Sequence, residues 1–288
     1  MKRLDGVEIG ALILLLAAIV LALLHWESVQ RVIGYVLHEP VTAGSRPAAP
    51  APLTPQVSAR IASAPASQPG AGLQLQVPPA SRPLPALADS DKAFGSEVSS
   101  LVGPGAFARW WVPDKLILHL VSTIDNLARA QAPVAAWPLH TAPGRLQVRR
   151  DGSAWVLESS NSERYAPYMA MLRLVDARRL VDAYLRFYPL FQQAWRELGY
   201  PKGQFNQRLL QVMDNLLAAP EPSGHLRLVQ PHVLYEYADP ALQSASAGQK
   251  ILMRIGLSDE RQVKAKLREL RAQLLRHMHA AARPAAQP

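Results

Sequence analysis

The chain has 288 residues, with 31 basic against 22 acidic side chains, a net charge of +9 and no cysteine. Disulfides, thiolate nucleophiles and cysteine-ligated metals are excluded. The positive surplus points to polyanionic partners, and a pI near 10.0 alone would direct attention to nucleic acid.

The N-terminal segment argues against nucleic acid. Val7 to Trp26 contains sixteen consecutive uncharged residues, Ile9 to Leu24, between Lys2 and Arg3 on one side and His25, Trp26 and Glu27 on the other. At ~1.5 Å per residue, a helix of about twenty residues matches the ~30 Å hydrocarbon core of a bilayer. The segment 7–26 is therefore expected to be a single transmembrane helix, with an amphipathic continuation through Val29, Val32, Ile33 and Val36 toward residue 39. A cleaved signal peptide has an apolar region of about 7–15 residues and a small-x-small site; Leu23-Leu-His-Trp-Glu27 offers none. Lys2 and Arg3 precede the run and the next basic residue is Arg31. The positive-inside bias then places residues 1–6 in the cytoplasm and the bulk of the chain in the periplasm, anchored in a bacterial inner membrane.

Residues 40–88 are expected to be a disordered tether. They carry eleven of the 25 prolines, abundant Ala, Ser and Gly, and no acid between Glu39 and Asp89. Proline fixes φ and removes amide donors, so neither helix nor sheet propagates.

Residues 89–282 are expected to form one mainly helical domain with a small antiparallel β element, an α+β class, followed by a disordered tail at 283–288. Leu116, Leu120, Ile124 and Leu127 recur at helical intervals after Pro113 and predict a helix from Asp114 to Ala130. Arg145–Arg150 and Ser153–Glu158 flank Asp151-Gly152, a dipeptide suited to a tight hairpin turn. Helices are predicted over Tyr165–Val175, Asp176–Leu198, closed by Gly199, and Gln204–Ala218. Leu226 to Tyr237 alternates weakly around Pro231, which reads as short strands. Ser246 and Gln249 form a capping-box signature opening a helix to Ile255, and a last helix runs from Ser258 to Ala280 with Asp259 and Glu260 at its positive end.

Candidate chemistry is sparse. Tyr184, Phe187, Tyr188, Phe191 and Trp195 share one helical face and read as core rather than as a ligand platform. Glu236 and Asp239 are the candidate catalytic carboxylates, a pair that could divide acid and base roles in glycoside cleavage if held ~5–10 Å apart; a turn or cap role for Asp239 is the structural alternative. The last helix carries Arg261, Lys264, Arg268 and Arg271, candidate contacts for anionic lipid or wall polymer, beside an apolar stripe of Val263, Leu267, Leu270 and Leu274. His277 and His279 stand about 200° apart on a helix and cannot share a metal. No metal site and no cofactor is expected.

Longer motifs carry a resemblance. Tyr188-Pro-Leu-Phe-Gln, Trp195-Arg-Glu-Leu-Gly-Tyr-Pro, Phe205-Asn-Gln-Arg-Leu, Val229-Gln-Pro-His-Val-Leu-Tyr-Glu-Tyr-Ala-Asp-Pro and Ser246-Ala-Gly-Gln-Lys, with Val112-Pro-Asp, Thr123-Ile-Asp-Asn-Leu and Arg164-Tyr-Ala-Pro-Tyr upstream, resemble a bacterial family known as domain of unknown function 3014. The resemblance covers about Asp89 to Arg271. It implies a single-pass envelope protein with an N-terminal anchor and carries no catalytic residue across. The expected function is a membrane-anchored periplasmic protein, a non-catalytic binding or scaffold protein contacting the bilayer through Val7 to Trp26 and an envelope protein or anionic wall or lipid partner. A wall-directed hydrolase or transferase using Glu236 and Asp239 is the alternative.

Overall fold

A computed structural model describes residues 83–133, 136–232 and 234–279, together with Leu75 and Val77. The segments expected in the cytoplasm (1–6), in the membrane (7–26) and in the tail (283–288) lie outside the described residues, as does most of 40–88. Among the described residues no helix is long and apolar enough to cross a membrane. Leu75, Val77, Leu84 and Leu87, from the C-terminal part of the expected tether, pack against the main core.

The described part is mainly helical with one small antiparallel sheet, the class the sequence predicts. Its elements are α1 (Asp91–Val102), α2 (Pro104–Trp110), α3 (Leu116–Leu127), β1 (Val148–Asp151), β2 (Ala154–Leu157), a 3-10 segment (Ser159–Tyr165), α4 (Ala166–Leu174), α5 (Ala177–Glu197), α6 (Phe205–Leu217), β3 (Arg227–Val229), β4 (Glu236–Tyr237), α7 (Pro240–Gln243), α8 (Ala247–Ile255) and α9 (Leu257–His279). Helices α1 and α2 are additions to the sequence reading.

Helix α5 is central, packed against α3, α6 and α9. Its aromatic face is buried throughout. Phe94 of α1 meets Phe187 and Phe191 edge-on at 5.1 and 5.6 Å, and Phe205 of α6 stacks on Phe191 at 5.8 Å. Tyr200, in the turn after α5, stacks on Trp195 at 3.8 Å. Asp176 caps α5 by accepting from the Arg179 amide at 2.9 Å.

Helix α3 starts two residues later than predicted. Lys115 holds a left-handed φ of 47°, so the chain cannot be helical there, and the Asp91 carboxylate accepts from the Lys115 and Leu116 amides at 2.7 and 2.8 Å. The N-terminal amides of α3 are thus satisfied by a residue of α1 rather than by a local cap.

The sheet order is β1-β2-β3-β4, each pair antiparallel. Asp151 pairs with Ala154, so the hairpin turn is Gly152-Ser153, one residue beyond the expected Asp151-Gly152. Gly152 has φ 61° at the first central position, where a II′ turn needs it. Leu146, Leu157, Leu228, Tyr237 and Met253 form a second, smaller core where the sheet meets α8.

Helix α8 carries the capping box, with Ser246 and Gln249 bonded reciprocally. It lies so close to α3 and α6 that a Cβ on Gly248 would collide with the Leu216 side chain and come within 3.0 Å of the Leu127 carbonyl oxygen. Overpacking of this kind costs about 1–3 kcal/mol. We expect Gly248→Ala to lower the urea midpoint of the purified full-length protein accordingly. Gly105 in α2 has nothing within 4 Å of its Cβ position, so Gly105→Ala should instead raise stability by roughly 0.4–1 kcal/mol.

Candidate functional site

The candidate residues of the sequence are dispersed. Asp239 is exposed and caps α7, its carboxylate accepting from the Ala241 amide at 2.8 Å. Glu236 is half-buried in β4 opposite Val229. Of the four basic candidates on α9, Arg261 and Arg268 stand exposed. Arg261 pairs with Glu221 at 2.9 Å and Arg271 with Asp214 at 2.6 Å.

Lys264, expected on a solvated basic face, is a correction: it is 2 % exposed. The helical period sets it beside Val263 and Leu267 on the core-facing side of α9. Its ammonium donates to the Ala219 carbonyl at 2.6 Å and to Glu221 at 2.9 Å. The Ala219 carbonyl lies just past the C-terminal, partially negative end of α6, a favourable place for a cation.

Glu260, one turn earlier on α9, is 1 % exposed, and its Oε1 lies 2.9 Å from Lys264 Nζ. The approach is that of an ion contact, and Oε1 accepts no hydrogen bond. Burial raises the Glu260 pKa above its usual 4.5, with Lys264 pulling it back. The folded state therefore holds this proton more tightly than the unfolded chain does, and the contribution of Glu260 to stability falls as pH rises from about 4.5 through the raised value. Glu221 runs the opposite way. Hydrogen bonds from Lys264, then Arg261, lower its pKa, so its contribution is present above the usual value and lost on acidification.

Glu260 also lines a cleft of about 170 Å³ between the sheet and the start of α9. Leu157, Leu226 and Met253 supply apolar lining, and Glu158, Ser162 and His225 polar lining. Gly256 and Leu257, where α9 begins, form part of the wall. Arg254 lines it too, with its guanidinium 5.6 Å from the Tyr237 ring centre. This cleft is assembled from residues a hundred positions apart, and the sequence reading missed it. A second cavity, about 320 Å³, opens where the chain enters α1, between Leu87 and Ile117. Neither Glu236 nor Asp239 lines either cavity. Among the described residues no three His, Asp or Glu side chains are grouped as metal ligands.

The long motifs meet as structural nodes. Asp125 is buried and accepts from Arg208 Nε at 2.7 Å, from Arg129 at 2.7 Å and from the Tyr200 hydroxyl at 3.1 Å. One residue each from Thr123-Ile-Asp-Asn-Leu, Gly199-Tyr-Pro and Phe205-Asn-Gln-Arg-Leu thus locks α3, α6 and the turn after α5 together. Asn161 does the same for the sheet side, with its amide donating to the Arg254 carbonyl at 2.9 Å and its oxygen accepting from the Gln147 amide at 3.2 Å and Arg164 at 3.1 Å.

Removing one member of a buried ion pair costs about 3–5 kcal/mol, whereas replacing both by apolar groups is often neutral. Lys264→Met alone should lose stability on that scale in urea titrations, and Lys264→Met with Glu260→Leu should recover most of it. The deficit of the single variant should narrow on acidification, as Glu260 takes up the proton that burial already favours.

No curated protein and no solved structure matches the chain. A family model does, over residues 116–271, from the start of α3 into α9, and takes in the residues of both nodes. On that match the chain belongs to the family described as "Protein of unknown function (DUF3014)".

Proposed function

We propose that the protein is a single-pass inner-membrane protein that holds its helical domain in the periplasm on the Pro- and Ala-rich segment and there binds an envelope component without catalysing a reaction. The observation that carries the reading is the order along the chain: a charge-free run from Ile9 to Leu24 behind Lys2 and Arg3, then the proline-rich stretch, then the folded domain. The way the domain spends its charges supports a binding role. Asp239 caps a helix, Asp125 is held by two arginines, and Glu260 and Lys264 answer each other inside the fold. Exposed Arg145, Arg149, Arg227 and Arg268 carry the positive surplus outward, which suits an anionic envelope partner.

A reporter that is active only outside the cytoplasm, fused after Pro288, is expected to be active, and one that works only in the cytoplasm to be silent. The reverse result would end the reading. Crosslinking in intact cells is expected to capture an envelope component through the domain, and variants with Arg149 and Arg227 changed to Glu should capture less of it.

A further inference from the structure

The sheet has two edges, and the chain treats them differently. At the β4 edge the Tyr237 amide donates to the Gln243 side chain at 3.0 Å and α7 follows at once, so that edge is covered. Strand β1 forms the other edge. Its pairing fixes which backbone groups are spent. Asp151 closes the turn opposite Ala154, Arg149 lies opposite Val156, and the Gln147 carbonyl accepts from the Glu158 amide at 2.9 Å. In an antiparallel pair alternate residues turn their amide and carbonyl to the partner strand. Gln147, Arg149 and Asp151 therefore serve β2, and Val148 and Arg150 turn theirs outward. Among the described residues no backbone hydrogen bond engages these outward groups. Two donors and two acceptors stand in a row, spaced by two residues at ~3.4 Å each.

The side chains along this edge are cationic. Arg145, Arg149 and Arg150 are exposed, and Asp151 is the acid that accompanies them. Arg149 lies in one row with Val156 and exposed Arg227 on one face of the sheet, whereas Val148 packs against the small core on the other. A second copy of the chain would set its own Arg149 and Arg150 against these, and like charges directly opposite are destabilising. The Pro-rich segment has no acid between Glu39 and Asp89 to answer them. A polymer of phosphates or carboxylates accepts from amides but has nothing to donate to the two carbonyls. An extended peptide supplies donors and acceptors at the same spacing and alternates its side chains between the two faces. We propose that β1 is a docking edge for an extended acidic segment of a partner protein, which adds to the sheet as a further strand, with carboxylates beside Arg149 and apolar side chains beside Val148. The inference names a partner class for the anionic binding role above and rests on that role, but not on the topology.

The test is fluorescence anisotropy of the full-length protein in detergent micelles with a labelled hexapeptide that alternates valine and glutamate. Saturable binding is expected below about 1 mM, and a peptide with lysine in place of glutamate should not bind. A strand offers its amides alternately to either side, so N-methylation of the valines alone and of the glutamates alone should differ in effect by at least about ten-fold, the scale of one or two lost hydrogen bonds. Val148→Pro removes one outward amide at an edge position that tolerates proline and should weaken binding similarly; the methylated peptides read the same pairing without altering the protein. Arg149→Glu with Arg150→Glu should exchange the preference to the lysine peptide. Absence of saturable binding, equal affinity of the two methylated isomers, or tighter binding of a galacturonate hexamer than of the peptide would overturn the proposal, the last in favour of an anionic glycan. If the peptide fails while the Arg149 and Arg227 variants still lose capture in cells, this inference falls and the reading of an anionic partner stands.

Discussion

The fold depends on the burial of one face of α5. Tyr184, Phe187, Tyr188, Phe191 and Trp195 lie inward over about three turns, and α1, α3, α6 and α9 are arranged around them. A fully buried ring such as Phe187 contributes about 1.5–3 kcal/mol, and the edge-on and stacked geometries with Phe94 and Phe205 add specificity to that burial. The other helices reach this seam only by approaching closely. Gly248 is where α8 comes nearest to α3 and α6, and the absence of a side chain there sets the spacing.

Around this apolar centre the chain places its charges in pairs. Glu97 bonds Arg186 at 2.9 Å, Asp125 is shared by Arg129 and Arg208, and Glu260 and Lys264 face each other under the loop after α6. Such pairs contribute little net stability over apolar substitutes, but an unmatched partner is costly. They therefore fix which helix faces may meet. Asp125, Tyr200 and Arg208, each from a different one of the long motifs, meet at one such point, which gives a structural reason for those three motifs.

What could be read from the chain was local. The aromatic spacing of α5, the Asp176 cap, the capping box at Ser246 and the terminator Gly199 each depend on residues within a turn or two. The features that escaped depend on distant partners. The start of α3 is set by Asp91, some two dozen residues upstream, and no signal near Lys115 announces it. Lys264 looked like one more cation on a basic face because its acceptors, Ala219 and Glu221, sit on a loop more than forty residues away. The cleft escaped for the same reason, being built from β2, the run into β3 and the start of α9. Helices α1 and α2 carry Gly95 and Gly105, which dilute the periodicity that would have marked them.

Leu84 and Leu87 rest on the core immediately before α1, and the next element is held to α3 through Asp91. Tension drawn along the chain from its N-terminal side would arrive at the seam between α1 and α3, and would have to slide apolar contacts and pull a carboxylate off two amides at once. Loads applied in that parallel manner are shared among bonds that must break together, so the body would resist detachment better than if the same strand were free to peel away one residue at a time.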